Sequence, residues 1–136
     1  MERSRELENL VVAWFEAASK GDASVIDRHV SRDAAVRLIG SDPTEWLAGP
    51  EVAEFLRGEV TRSAGKARFS PSHTEAFSEG TVGWAATRLT ITLPDGRSVR
   101  PRWSAVFHKE DGVWRFMQTH ASIAVPNDQI GWVYPS

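Results

Sequence analysis

The sequence predicts a single α+β domain, with three N-terminal helices packed on one face of a curled, mostly antiparallel sheet. Three observations predict it. Apolar residues recur at helical spacing through the first half of the chain, and after Gly65 the apolar period drops from about 3.6 to 2. The extended segments that follow are joined at Glu79-Gly80, Asp95-Gly96 and Asp111-Gly112, pairs that tolerate the positive φ of tight hairpin turns. At 136 residues the chain has room for one core and one domain, spanning 1–136.

From Glu2 to Lys20, the residues Leu7, Leu10, Val11, Trp14, Phe15 and Ala18 form one helical stripe that Gly21 stops. Asp22 then caps a short second helix carrying Val25, Ile26 and His29. Ala34 to Gly40, with Val36, Leu38 and Ile39, reads as a strand ended by Ser41-Asp42-Pro43. Gly49-Pro50-Glu51 opens a third helix, with proline at the first helical position and a carboxylate in the first turn; its stripe is Val52, Phe55, Leu56 and Val60. Four extended segments follow, Ala67 to Ser78, Val82 to Leu93, Ser98 to Lys109 and Val113 to Val125.

Hydrophobic residues at 41% and charged residues at 25% are the balance of a soluble globular chain. A net charge of −2 gives no reason to expect nucleic acid or an anionic membrane as a partner. There is no cysteine, which excludes disulfides, thiol nucleophiles and Cys-ligated metals. The charged start Met1 to Glu6 lacks the apolar core and small-residue cleavage site of a signal peptide, and no apolar run reaches the roughly 18 residues a membrane span needs, so a cytoplasmic location is expected. His29, His73, His108 and His120 fall on four elements without metal-ligand spacing, and no Gly-rich phosphate loop is present; no metal or cofactor is expected.

Strict alternation along the last strand sets Trp114, Phe116, Gln118, His120 and Ser122 on one side, and Arg115, Met117, Thr119, Ala121 and Ile123 on the other. The aromatic side, joined by Trp103, Ala105 and Phe107, must face the helices, and it carries Gln118 and His120 inward with it. Buried polar groups without partners cost about 1–3 kcal/mol each, so these two are expected to meet polar partners inside, either a ligand or, for His120, Ser122, Gln118 or a backbone group of the first helix. The opposite side then exposes Val106, Met117, Ala121 and Ile123, with Leu89 and Ile91, and an apolar patch of that kind predicts a homodimer through the outer face of the sheet.

The element order, the stretch Trp14-Phe15-Glu16-Ala17-Ala18-Ser19-Lys20-Gly21-Asp22, the Gly49-Pro50-Glu51 helix start and the ending Gly112-Val113-Trp114-Arg115-Phe116-Met117-Gln118-Thr119-His120-Ala121-Ser122 together resemble the SnoaL-like branch of the nuclear transport factor 2-like superfamily, near the calmodulin-kinase association domains. The resemblance covers nearly the whole chain. It implies a cone-shaped fold enclosing a blind apolar pocket, usually in a dimer, on a scaffold that hosts both enzymes and binding modules. The steroid isomerases of that superfamily use a tyrosine, a protonated aspartate and an aspartate base. Matching Gly21-Asp22 and Pro101 puts Trp14, Trp103 and Leu38 at those positions, so that reaction is not implied.

Two functions follow as expectations. In the first, an aromatic cone of Trp14, Leu38, Trp84, Trp103, Phe107 and Phe116, with Trp46 as a further wall, binds a small apolar molecule whose polar end Gln118 and His120 fix, Arg88 neutralising any acidic group. In the second, His120 is the acid/base of an isomerase, cyclase or dehydratase-like step with Asp42 as its partner. A module that only dimerises, its pocket plugged by its own indoles, is the third possibility.

Overall fold

A computed structural model describes residues 1–131. The chain opens with a two-residue strand β1 (Glu2–Arg3) and helix α1 (Arg5–Lys20). Ser4 caps α1 by accepting from the Leu7 N–H at 3.2 Å, and Gly21 ends it at φ 72°. A Cβ on Gly21 would stand 3.0 Å from the Ala64 Cα, so glycine also lets the end of α1 approach the end of a later helix. Helix α2 (Ser24–His29) follows, then β2 (Arg37–Ile39), β3 (Trp46–Ala48) and α3 (Pro50–Ser63). The remainder is β4 (Arg68–Glu79), β5 (Val82–Thr92), β6 (Ser98–Val99), β7 (Arg102–Glu110), β8 (Val113–Ser122) and a 3₁₀ turn at Asn127–Ile130.

The sheet has eight strands in the order β1-β4-β5-β7-β8-β2-β3, with β6 paired to β5. All pairs are antiparallel except β2 with β8, which run parallel. The predicted meander is present, and the hairpin joining β7 to β8 turns on Asp111 and Gly112, both at positive φ (51° and 77°). Three short strands escape the sequence pattern: β1, β3 and β6 are two or three residues long, too short for any period to register. The predicted Ser98 to Lys109 strand is broken at Arg100-Pro101, because proline has no N–H to give a ladder.

One core fills the space between the helices and the inner face of the sheet. It is built on Leu7, Val11, Trp14 and Phe15 of α1, Ile26 of α2, Val52 of α3, and Leu38, Ala85, Leu89, Trp103, Phe107, Trp114 and Phe116 of the sheet. Trp14 and Phe107 both pack against Phe116, at ring-centroid distances of 4.3 and 4.6 Å. His29 donates from Nδ1 to the Trp114 carbonyl at 2.8 Å and ties α2 to β8. Among the described residues no helix is long and apolar enough to cross a membrane.

Candidate functional site

The site is set by one extra residue in β8. Phe107 is opposite Phe116 and Val106 is opposite Gln118, so Met117 is left over as a β-bulge. A bulge inserts one residue and reverses the facing of everything beyond it. Trp114 and Phe116 are buried inward as expected, but past Met117 the inward residues are Thr119 and Ala121, followed by Ile123. Gln118, His120 and Ser122 turn outward, and His120 is exposed. Strict alternation fails here for that reason.

Between the inner face of the sheet, α1 and α3 lies a cavity of about 340 Å³. Trp14 and Phe15 of α1, Phe55 and Leu56 of α3, and Leu38, Phe69, Leu89, Ile91, Trp103, Thr119 and Ala121 of the sheet form its walls. The exposed members of the lining, Ser41, Glu59, Val99 and Ile123, mark its mouth. Phe15 meets Trp103 edge-on at 5.0 Å, which fixes both rings in the wall. Three polar groups of the apolar walls have no hydrogen-bond partner among the described residues: the Thr119 hydroxyl and the indole N–H groups of Trp14 and Trp103. Two carboxylates belong to the lining. Glu45 accepts from the Asp42 N–H at 3.0 Å, and Glu59 accepts from Arg62 at 3.0 Å.

The sequence-predicted residues divide accordingly. Trp14, Leu38 and Trp103, the three that replace the isomerase groups, all line the cavity. Phe107 and Phe116 are packed deeper, 0% and 1% exposed, as core beneath the cavity floor. Trp46 is 71% exposed on the edge strand β3 and forms no wall. Trp84 and Arg88 share a strand parity but face outward; Trp84 stacks on Phe77 at 5.0 Å. Gln118 and His120 lie on the outer face for the reason just given. Asp42 is a turn residue: its carboxylate accepts from the Thr44 hydroxyl and, at 2.9 Å, from the Thr44 N–H, and these bonds hold it below the usual aspartate range. It does not reach the imidazole it was paired with.

The expected interface patch also changes. Val106 remains on the outer face, and Met117 is half-buried against the core at the bulge. Ala121, Ile123, Leu89 and Ile91 belong to the cavity instead. The signal that would have revealed this is the adjacent apolar pair Phe116-Met117, after which apolar and polar residues exchange places along the strand.

A sequence profile for the SnoaL-like domain matches residues 7–126, nearly all of the chain just described. The chain belongs to the SnoaL-like domain family. No curated protein matches it. Solved structures agree with this SnoaL-like domain in fold. An NTF2-like protein of unknown function from Pseudomonas putida KT2440 superposes with a TM-score of 0.76 at 13% identity, over 91% of this chain and 88% of that one. A protein with a cystatin-like fold from Caulobacter vibrioides gives 0.71 at 16% identity, over 92% of each chain. A Xanthomonas campestris protein provisionally described as a calcium/calmodulin dependent protein kinase II association domain gives 0.66 at 18% identity, over 91% and 95%. The α+β cone is thus the shared scaffold, and the side chains lining it are this chain's own.

Proposed function

We propose that this SnoaL-like domain protein binds a small, mostly apolar molecule, aromatic or otherwise hydrophobic, in the cavity between α1, α3 and the sheet. The observation that supports this most is the lining itself: apolar walls of two indoles, three phenyl rings and aliphatic side chains, with the Thr119 hydroxyl unpaired among the described residues. A preformed apolar cavity with a few polar groups is the usual form of a small-ligand site. Thr119 and the two indole N–H groups suit a ligand with a carbonyl, ether or hydroxyl at one end. Proton-transfer chemistry has less support. His120 and Asp42 lie outside the cavity, and the carboxylates of the lining already accept from Asp42 and Arg62.

Tryptophan fluorescence with 2-naphthol as a probe tests this. The wild type is expected to show saturable quenching, and Ala121→Phe, which fills the cavity from β8, is expected to keep its circular dichroism and lose at least tenfold in affinity. Equal affinity in the variant, or no quenching of the wild type by 2-naphthol or related planar probes, contradicts it.

We further propose that two copies pair through the outer sheet face, on the cross-strand row Phe77, Trp84 and Val106. Trp84 and Val106 are opposed in register and 37% and 36% exposed, an apolar strip that Val82, 48% exposed, extends along β5. Sedimentation of Val106→Glu should give monomers where the wild type gives dimers; a variant that still dimerises places the contact elsewhere.

A further inference from the structure

The outer face carries a second concavity, on the opposite side of the sheet from the cone. Its floor is Ala86 of β5 and Ser104 of β7, register partners with little side chain between them. Beside them, one row along, Arg88 and Arg102 are also register partners. The Leu89 N–H donates to the Pro101 carbonyl at 3.1 Å, the bond that flanks a non-hydrogen-bonded antiparallel pair. In such a narrow pair the Cα atoms stand about 4.5 Å apart and like charges directly opposite repel. Neither guanidinium has an ion-pair or hydrogen-bond partner among the described residues.

Two imidazoles complete the ring. His120 is opposite Ser104 on β8, turned outward by the Met117 bulge. His73 reaches the rim from β4, where a second bulge leaves His73 and Thr74 opposite Thr87 and holds His73 at φ 53°. Thr87 anchors that bulge by donating to the Ser72 carbonyl at 2.9 Å and meeting the Thr74 hydroxyl at 2.8 Å. Glu75 is the sole carboxylate of the lining and forms no ion pair. Two bulges in separate strands thus bring two imidazoles beside an unneutralised arginine pair.

We propose that this concavity, of about 440 Å³, binds a small doubly charged oxyanion, a phosphate or a dicarboxylate. The guanidinium pair takes the anion's oxygens in forked hydrogen bonds. The His120 imidazole adds an N–H donor, His73 stands at the rim with Nδ1 3.4 Å from the Ser72 hydroxyl, and Glu75, the one carboxylate of the lining, opposes the anion. Binding relieves the opposition of Arg88 and Arg102. The site lies on the opposite face of the sheet from the cone, with Trp103 of β7 common to both linings.

Thermal unfolding with inorganic phosphate and with succinate, at ionic strength held constant with potassium chloride, tests the proposal. The wild type should gain a saturable rise of several degrees with one or both. Arg88→Gln and Arg102→Gln should each be at least as stable as wild type without the anion, since repulsion is removed, and should lose most of that rise. Glu75→Gln should bind phosphate severalfold more tightly. A wild type that neither anion stabilises overturns the proposal, as does an equal rise in the arginine variants. If phosphate instead dissociates a dimer and Glu75→Gln dissociates it too, the concavity receives a second copy's carboxylate and the small-anion site is refuted.

Discussion

The Thr119 side chain is 6% exposed in the cavity wall, and its hydroxyl has no partner among the described residues. An unpaired hydroxyl in an apolar wall adds nothing to folding, so its replacement should cost the fold little. Thr119→Val is therefore expected to leave the melting temperature unchanged or slightly raised. A probe that hydrogen-bonds Thr119, such as 2-naphthol, should bind several-fold more weakly, while naphthalene binds as before. Calorimetric titration of both probes against both proteins checks this, and a parallel loss for both would mean that the hydroxyl serves packing rather than recognition. Trp14 and Trp103 are the residues of the cavity that were most legible in the sequence. Helical spacing put Trp14 on the inner stripe of α1, and the phase of β7 carries no bulge before Trp103.

At the scale of elements, β8 explains what was not legible. Up to Phe116 simple alternation is obeyed, and the core aromatics fall where the pattern puts them. One unpaired residue then exchanges the two faces, which moves His120 out and brings Thr119, Ala121 and Ile123 in. A bulge is a matter of pairing between strands, and a single strand's hydropathy records it only as two apolar neighbours in a row. The contact of α1 with β5 is equally specific. A Cβ on Gly83 would meet the Phe77 carbonyl oxygen at 2.9 Å and the Leu7 Cδ1 at 2.5 Å, so helix and sheet close on a position with no side chain. Gly83→Ala is expected to cost about 1–3 kcal/mol by overpacking. Chemical denaturation measures it; a neutral result would mean that α1 sits on the sheet with room to shift.

For the whole molecule, the fold was readable because its determinants are long and local. These are the α1 stripe, the Gly49-Pro50 helix start, and three hairpin joints with Gly or Asp at positive φ. The cavity was readable only in outline, since it depends on where long strands slip by one residue and on the short strand β6, whose Val99 lines the mouth and which no pattern announces. Scaffold and side chains do different work here. The likeness to structures at 13–18% identity extends to the cone, whereas the wall from Thr119 to Ile123 and the outward His120 follow from this chain's own register.

The most direct test of a ligand-binding cone is a methyl NMR titration with 2-naphthol, because methyl groups mark both faces of the same sheet. Progressive, saturable shifts are predicted at Leu38, Leu89, Ile91, Thr119 and Ala121, with Val106 on the outer face unmoved. Shifts confined to Val106 and its neighbours, or none at the cavity methyls, would contradict the account.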